Sequence, residues 1–348
     1  MNNNFLKVQT WYRLNFRNLP WRISNDAYKI WLSEIILQQT RVDQGLPYYH
    51  KFLDNFPTIV DLANADEEKV LKLWQGLGYY SRARNLHTTA KMVRDQYNGV
   101  FPQTYSEILK LKGVGEYTAA AIASFAYDLP HAVVDGNVYR VLSRLYDIDT
   151  PIDSTEGKKI FRNLAQEVLS LENPALHNQA IMEFGALQCV PVNPNCDVCP
   201  VREFCMAYSN KTIANRPVKA NKTKVQNRYF YYMVYATDDE MILKQRLNKD
   251  IWLKMYDFPL IETPEELKET DFEQALNTPL HAVVKITRKK HILSHQHIYA
   301  TFLELNQLPK KTDWKPDWRK FSFNEVKELP LPRIIDKYLE EEFEFLEG

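Results

Sequence analysis

The chain has 348 residues, which is enough for two domains that each bury a core of their own. Hydrophobic residues make up 45% of it and charged residues 25%, which is typical of a folded globular protein. The 44 basic residues balance the 44 acidic ones, and this excludes a generally cationic surface for binding nucleic acid. No apolar stretch approaches the length that crosses a membrane, and the N-terminus lacks a signal-peptide pattern. We therefore expect a cytoplasmic protein with no membrane partner.

The first two thirds of the chain predict one amphipathic helix after another. Residues 28–40 are apolar nearly all round, which predicts a helix inside the core. Glu34 is the exception, because its neighbours three and four residues away are mostly apolar. A carboxyl group in such surroundings has a raised pKa and can hold a proton near neutral pH. The alternative is a structural Glu34 that pairs with an arginine such as Arg22 or Arg41.

Residues 111–141 predict a helix, a tight turn, an alanine-rich helix, a loop and a further helix. Gly113 and Gly115 bracket the turn, where a missing Cβ lets the backbone take a positive φ and approach a ligand closely. The unpaired amides of this turn and of the next helix form a site suited to a phosphate. Asp135 lies at the start of the last helix, where the dipole favours its ionised form. An ordinary helical hairpin, with Asp135 only as an N-cap, is the alternative.

Glu34 and Asp135 together indicate chemistry on a sugar. One protonated and one ionised carboxyl group is the arrangement that cleaves glycosidic bonds. Tyr79 and Tyr80 precede two arginines at the start of another predicted helix. Such a pair is suited to wedge into a base stack beside phosphate contacts, although two tyrosines also suit ordinary core packing.

The cysteines form the strongest metal signal in the sequence. Cys189, Cys196, Cys199 and Cys205 are the only four, and they give a C-x6-C-x2-C-x5-C run. Four thiolates in one loop suit a [4Fe–4S] cluster or a four-cysteine zinc site. The spacing favours iron and sulfur over zinc, and disulfides do not fit a cytoplasmic protein.

The last third of the chain predicts a separate module of strands and helices. Residues 216–228 are basic and unpatterned, which indicates a linker. Alternating strands follow, with a hairpin at residues 238–239 and a helix within residues 324–342. Histidines 291, 295 and 297 lie close together on one predicted strand. They suggest either a metal site or ordinary surface and packing positions.

Several motifs resemble the helix-hairpin-helix DNA glycosylase superfamily. They are LKGVGEYTAAAIASFA (residues 111–126) and VVDGNVYRVLSRL (residues 133–145), and the cysteine run is similar to that of the iron–sulfur branch. Residues 33–42 and 76–87 are similar to the adenine DNA glycosylases of MutY type. The match covers roughly residues 10–210, nearly without interruption.

This resemblance implies the domain organisation. A mostly α-helical glycosylase domain is expected over residues 1–215, with the hairpin at about 104–126 and the cluster loop at 189–205. An α+β, Nudix-like domain is expected over residues 229–348. It lacks the glutamate-rich motif of active Nudix hydrolases, so we expect it to recognise DNA.

The resemblance also implies catalytic roles. Glu34 matches the acid that protonates adenine on N7, and Asp135 matches the carboxylate that stabilises or captures the oxocarbenium-like sugar. Asn137 matches a neighbour that supports Asp135. Tyr117 falls where the strand-cleaving relatives carry a catalytic lysine. Without an amine there is no Schiff base, so efficient strand scission is not expected.

The remaining implied residues contact DNA. Trp21, Arg22 and Gln179 match the pocket for the extruded adenine. Gln39 and Tyr79 match residues that enter the base stack around the opposite base. Ser294 and His295 match a loop that reads 8-oxoguanine. Many members have phenylalanine before that serine, and this chain has Leu293.

The implied enzyme is a monofunctional glycosylase with a [4Fe–4S] cluster. It removes adenine paired with 8-oxoguanine or guanine in double-stranded DNA, as a monomer acting at the bacterial nucleoid. A bifunctional glycosylase/lyase for oxidised pyrimidines is the main alternative. A non-catalytic or redox-sensing DNA-binding protein, and nucleotide hydrolysis by the C-terminal domain, are further alternatives.

Overall fold

The computed structural model describes residues 3–220, 225–276, 280–306 and 315–343. The chain forms two compact units. The first consists of Met1–Asn64 and Asn85–Asn221, and the second of Ala65–Arg84 and Lys222–Gly348. The sequence predicts one helical domain over residues 1–215, whereas this division groups residues 65–84 with the C-terminal residues.

The helices of the described residues are as follows, in chain order: α1 (Asn3–Asn15), α2 (Ala27–Leu37), α3 (Val42–Asn55), α4 (Ile59–Asn64), α5 (Glu67–Trp74), α6 (Ser81–Gln96), α7 (Tyr105–Ile108), α8 (Glu116–Tyr127), α9 (Gly136–Leu145), α10 (Thr155–Val168), α11 (Pro174–Leu187), α12 (Met206–Ser209), α13 (Phe272–Leu276), α14 (Phe323–Glu328) and α15 (Arg333–Glu342). None of them is both long and apolar enough to cross a membrane.

Helix α11 lies at the centre of the first unit, where it packs against α1, α8 and α9. Apolar residues of α9 recur at helical spacing and all lie in the core: Val138, Val141, Leu142 and Leu145. Burial of this stripe fixes α9 on α11. The first turn of α9 is thereby held beside the last turn of α11, where Asn137 packs against Gly185.

Helix α2 is the buried helix that the sequence predicts, although it is shorter than residues 28–40. From Ala27 to Ile36 only Lys29 is not buried. The Asp26 side chain caps its start by accepting a hydrogen bond from the Tyr28 amide. The helix ends at Leu37 because the next residues leave the helical backbone, and Gln39 takes a φ of 57°.

The turn between α7 and α8 uses one of its two glycines for a special backbone conformation. Gly113 has a φ of 75°, and a Cβ there would lie 2.8 Å from the Asn85 side chain. Gly115 has a φ of −92° and is the N-cap of α8. The expectation of a positive φ is therefore wrong for Gly115, whose position any small residue can occupy.

The second unit contains two sheets. Its strands are β1 (Gln226–Tyr235), β2 (Glu240–Gln245), β3 (Tyr256–Asp257), β4 (Leu260–Thr263), β5 (Val283–Ile292), β6 (Gln296–Leu305) and β7 (Trp318–Ser322). One sheet has the order β4-β1-β6-β5, in which only β1 and β6 run parallel, and the other has the antiparallel order β3-β2-β7.

Two sequence expectations for this unit change in detail. At the predicted hairpin at residues 238–239, an isolated antiparallel bridge joins Ala236 and Met241. The strands on either side, β1 and β2, belong to different sheets. The predicted C-terminal helix is divided into α14 and α15 by prolines 330 and 332.

Residues 65–84 belong to the second unit through side-chain contacts that no local pattern indicates. The Tyr256 hydroxyl donates to Glu68 (2.7 Å), and Arg84 donates to the Leu253 carbonyl (3.0 Å). The predicted linker at 216–228 is also shorter than expected. Its first part is bonded to the first unit, where Val218 accepts from the Ile152 amide, and β1 already begins at Gln226. Residues 221–224 lie outside the described ones.

Candidate active site and cluster loop

A cleft in the first unit collects the predicted catalytic and pocket residues. It has about 860 Å³ of empty volume. Its lining includes seven residues that the sequence singles out: Trp21, Arg22, Glu34, Tyr117, Asp135, Asn137 and Gln179. They come from the turn before α2, from α2 itself, from the starts of α8 and α9, and from the middle of α11. The fold thus brings together side chains that are spread over more than 150 residues of sequence.

Glu34 is a buried carboxyl group at the wall of this cleft. Burial raises its pKa to about 7, and the nearby Asp135 also raises it, while a hydrogen bond with Tyr117 and the charge of Arg22 oppose the shift. Arg22 does not pair with Glu34, because both of its terminal nitrogens bind Glu183. The predicted elevated pKa is therefore present, and the alternative of a structural pair with Arg22 does not hold.

Asp135 is the N-cap of α9 and is surrounded by hydrogen-bond donors. Its carboxyl oxygens accept from the backbone amides of Asn137 (2.9 Å) and Val138 (2.8 Å), and from the Asn137 side chain (2.7 Å). These bonds favour the carboxylate form, as the sequence predicts. Burial nevertheless outweighs them and raises the pKa of Asp135 above its ordinary value.

Tyr117 is buried beside both carboxyl groups. Burial and the nearby charges of Glu34 and Asp135 raise its pKa well above that of a free tyrosine. The hydroxyl therefore stays protonated over the whole physiological range. It is suited to hydrogen-bond Glu34 and hold that carboxyl group in place.

A third carboxyl group, which sequence reasoning missed, also lines the cleft. Glu183 is fully buried and accepts paired bonds from Arg22 (2.6 and 2.7 Å) and from Arg17 (2.7 and 2.9 Å). Burial raises the pKa of Glu183, but the hydrogen bonds from Arg22 and Arg17 outweigh it and lower the pKa to about 2. Its position four residues after Gln179 on α11 was the available signal, because such residues share a helix face.

Gln179 has a fixed orientation in the cleft. The Tyr12 hydroxyl donates to its side-chain oxygen (2.9 Å), which leaves the side-chain NH₂ group for a ligand. The cleft therefore presents a hydrogen-bond donor at Gln179 and an acid at Glu34.

Asn178 holds three elements of the site together. Its side-chain oxygen accepts from the Val133 amide (3.0 Å), and its NH₂ group donates to the Ser124 hydroxyl (2.9 Å) and the His131 carbonyl (2.8 Å). All these bonds are made by a side chain that is 1% exposed. The loop that leads into Asp135 is thereby tied to α8 and α11.

The four predicted cysteine ligands line one cavity with about 380 Å³ of empty volume. In the described part of the chain, no three His, Cys, Asp or Glu side chains converge on a single metal ion. The sulfurs thus surround a space, as a bulky all-thiolate cluster requires, and do not meet at one atom. Of the three histidines on the predicted strand, His291 packs against the Trp252 ring and His295 is exposed.

The second unit has a cleft of its own, with about 1160 Å³ of empty volume. Tyr79, Leu293 and His295 are among the residues that line it. The Tyr79 hydroxyl is hydrogen-bonded to the Ser294 hydroxyl. Two residues predicted to contact the opposite base therefore meet, although 215 residues separate them. Gln39 and Gly113 belong to the first unit and do not line its cleft.

Family models match three parts of the chain. Residues 32–168 match the HhH-GPD superfamily base excision DNA repair proteins, residues 230–341 match the NUDIX domain, and residues 189–205 match the iron-sulfur binding domain of endonuclease III. The helical unit, its cluster loop and the Nudix-like module define a DNA glycosylase of base excision repair. The predicted fold class is confirmed.

Relatives identify the family within this class. The adenine DNA glycosylase of Buchnera aphidicola subsp. Baizongia pistaciae (strain Bp) is 33% identical over 95% of this chain and 94% of its own. The adenine DNA glycosylase of Mus musculus is 44% identical over 57% of this chain and 40% of its own. A solved thermostable thymine-DNA glycosylase aligns with a TM-score of 0.55 and 28% identity, over 59% of this chain and 95% of that one. The chain belongs to the adenine DNA glycosylase family. It is a DNA-binding enzyme, and its cysteine loop holds a [4Fe–4S] cluster.

Proposed function

We propose that the enzyme removes adenine paired with 8-oxoguanine or guanine, and that it leaves an abasic site without cutting the strand. The observation that carries this proposal is the pairing in one cleft of Glu34, whose pKa is raised to about 7, with Asp135. A cleft of about 860 Å³ accommodates a nucleobase, which has to leave the duplex before its glycosidic bond is reached.

The steps follow from the two carboxyl groups. Glu34 donates a proton to N7 of adenine, which turns the base into a neutral leaving group. As the glycosidic bond breaks, positive charge develops on the sugar, and the Asp135 carboxylate stabilises it. Water then adds to the sugar. Tyr117 and Asn137 keep the two carboxyl groups in place, and Trp21, Arg22 and Gln179 bind the base.

The lining of the cleft supports a monofunctional enzyme. No lysine is among the described residues that form it, and the position at which lyases carry that lysine is Tyr117. A phenol hydroxyl cannot form the Schiff base that precedes strand scission.

Recognition of the opposite base is assigned to Tyr79, Ser294 and His295, with Gln39 at the base stack. The Gly113 and Gly115 turn is assigned to a backbone phosphate, because Gly115 is the N-cap of α8 and the first amides of a helix have no partner within it. We further propose that the enzyme acts as a monomer on nucleoid DNA.

The test uses labelled duplexes that carry adenine opposite 8-oxoguanine, guanine or thymine. We expect cleavage of the first two only after hot alkali, and no covalent complex after borohydride treatment. A nick without alkali, together with efficient borohydride trapping, would assign the chain to the lyases. Equal turnover of all three duplexes would overturn the proposed specificity.

A further inference from the structure

Arg144 is a buried cation beside the cysteine cavity. It lies on α9, is 1% exposed and ranks among the largest fully buried side chains. Its side chain lines the same cavity as Cys189, Cys196, Cys199 and Cys205. Guanidinium groups stay protonated in proteins, so this position holds a permanent positive charge.

No carboxylate neutralises this charge within the described residues. Its hydrogen-bond acceptors are the backbone carbonyls of Val190 (2.7 Å), Pro191 (2.9 Å) and Arg216 (3.2 Å). The remaining contact is from Nη1 to the Cys189 sulfur, at 3.4 Å. Arg22 and Arg246 differ from Arg144, because each of these two largely buried arginines forms an ion pair with a buried carboxylate.

Such a cation is unfavourable unless a negative charge lies nearby. Removing one ion from water costs several kcal/mol, and neutral carbonyls repay only part of that amount. Cluster binding supplies the missing charge, because a [4Fe–4S] cluster held by four thiolates carries a net negative charge.

Arg144 also contacts the first and the last cysteine of the run. Its guanidinium group binds the two carbonyls directly after Cys189, and its own backbone carbonyl lies 3.4 Å from the Cys205 sulfur. These contacts fix both ends of the loop against α9.

We propose that Arg144 is the built-in counter-ion of the cluster. Its charge stabilises the bound cluster and raises the cluster's reduction potential, because a fixed cation favours the form with the additional electron. This role is independent of the substrate proposed above and concerns cluster retention only.

Three variants test the role of the charge. Arg144→Met removes the cation and keeps an apolar side chain of similar length, and Arg144→Lys keeps the cation with fewer donors. Arg202→Met is the matched control, because Arg202 lines the same cavity but is exposed and pairs with Asp197. For each, iron and sulfide content, the rate of cluster loss to a chelator and the reduction potential are measured, with circular dichroism as a check on folding.

We expect Arg144→Met to lose its cluster about tenfold faster than the wild type, which is the usual size of effect for a residue that supports a metal site. We also expect the reduction potential of its cluster to be more negative. Arg144→Lys and Arg202→Met should stay close to the wild type in potential. A wild-type loss rate and potential in folded Arg144→Met would overturn the proposal. If that variant does not fold, Arg144→Lys decides: a wild-type potential supports the role of the charge, and a lowered one contradicts it.

Discussion

The Tyr117 hydroxyl acts on the Glu34 carboxyl group inside a cleft that Asp135 also lines, and it opposes the rise in pKa that burial causes at Glu34. Burial keeps Tyr117 protonated and raises the pKa of Glu34 to about 7, so each group is suited to hold a proton at neutral pH. Asp135 differs from them, because all three of its described hydrogen-bond partners donate to it. The cleft therefore holds two carboxyl groups in different environments, and only Asp135 has hydrogen-bond donors that favour its ionised form.

Glu34→Gln is expected to abolish adenine excision and to leave DNA binding intact. The amide keeps the shape of the side chain but has no acidic proton, and a general acid contributes about a hundredfold to ten-thousandfold in rate. Single-turnover excision and duplex binding by anisotropy measure the two effects. Glu156→Gln, on an exposed face of α10, is the control. Retained turnover in the Glu34 variant would remove the role of this residue as acid.

The rate of excision should fall as the pH rises above about 7, by about tenfold per pH unit, because the protonated fraction of Glu34 falls. The hydrogen bond from Tyr117 lowers the pKa of Glu34. Tyr117→Phe removes this bond and should raise the pKa of Glu34. The decline in rate should therefore begin at a higher pH, while the maximal rate decreases. Single-turnover rates over a range of pH measure both the pH at which the rate declines and the maximal rate. A decline at an unchanged pH in Tyr117→Phe would show that another group controls the profile.

Glu34 should also make the stability of the first unit depend on pH. Its pKa is about 7 in the folded chain against 4.5 for a free carboxyl group, so the folded state holds the proton more tightly. The favourable contribution is complete below about pH 4.5 and is lost as the pH rises through 7. Relative to Glu34→Gln, the wild type should lose roughly 3 kcal/mol of unfolding free energy between about pH 4 and pH 8.5. Urea unfolding at both pH values measures this, and a pH-independent difference would contradict the raised pKa.

Asn178→Ala is expected to reduce the single-turnover rate more than DNA affinity, since it frees the loop that positions Asp135. It leaves the buried Val133 amide without its partner, at about 1–3 kcal/mol. Tyr28→Phe is the matched control, because it also removes a buried hydrogen bond, which runs from the Tyr28 hydroxyl to the Phe56 carbonyl (2.7 Å). Neither of these residues lines the cleft. Equal losses of rate in the two variants would indicate general destabilisation and no positioning role.

Local sequence patterns were sufficient to identify candidate residues that are unusual within their own helix. Glu34 is visible as a carboxyl group in an apolar helix, and Asp135 as a residue before a helix start. The Glu183 network was missed because its arginine partners lie 161 and 166 residues earlier in the chain. No periodicity within one element reports such a pair.

Some backbone conformations also cannot be predicted from the local sequence. Residues 250–267 contain no glycine, and Trp252 and Lys254 in this segment have φ values of 60° and 66°. These left-handed positions cost on the order of 1 kcal/mol each, and they persist only where the surrounding contacts fix them. The Lys254 side chain contributes such a contact through its ion pair with Glu67. A contact of this kind cannot be predicted from either segment alone.

Ser294→Ala should reduce discrimination for 8-oxoguanine more than it reduces adenine excision. The variant removes the hydroxyl that is hydrogen-bonded to Tyr79. The quantity measured is the ratio of the excision rate opposite 8-oxoguanine to the rate opposite guanine. The loss of one hydrogen bond of about 1 kcal/mol corresponds to roughly a fivefold change in this ratio. Truncation near residue 217 is a weaker test, because it also removes the partners of residues 65–84, such as Tyr256 for Glu68. Thr270→Ala, at an exposed position of the same unit, should leave the ratio unchanged. An unaltered ratio in Ser294→Ala, with the same rates on both duplexes as the control, would place the recognition of 8-oxoguanine elsewhere.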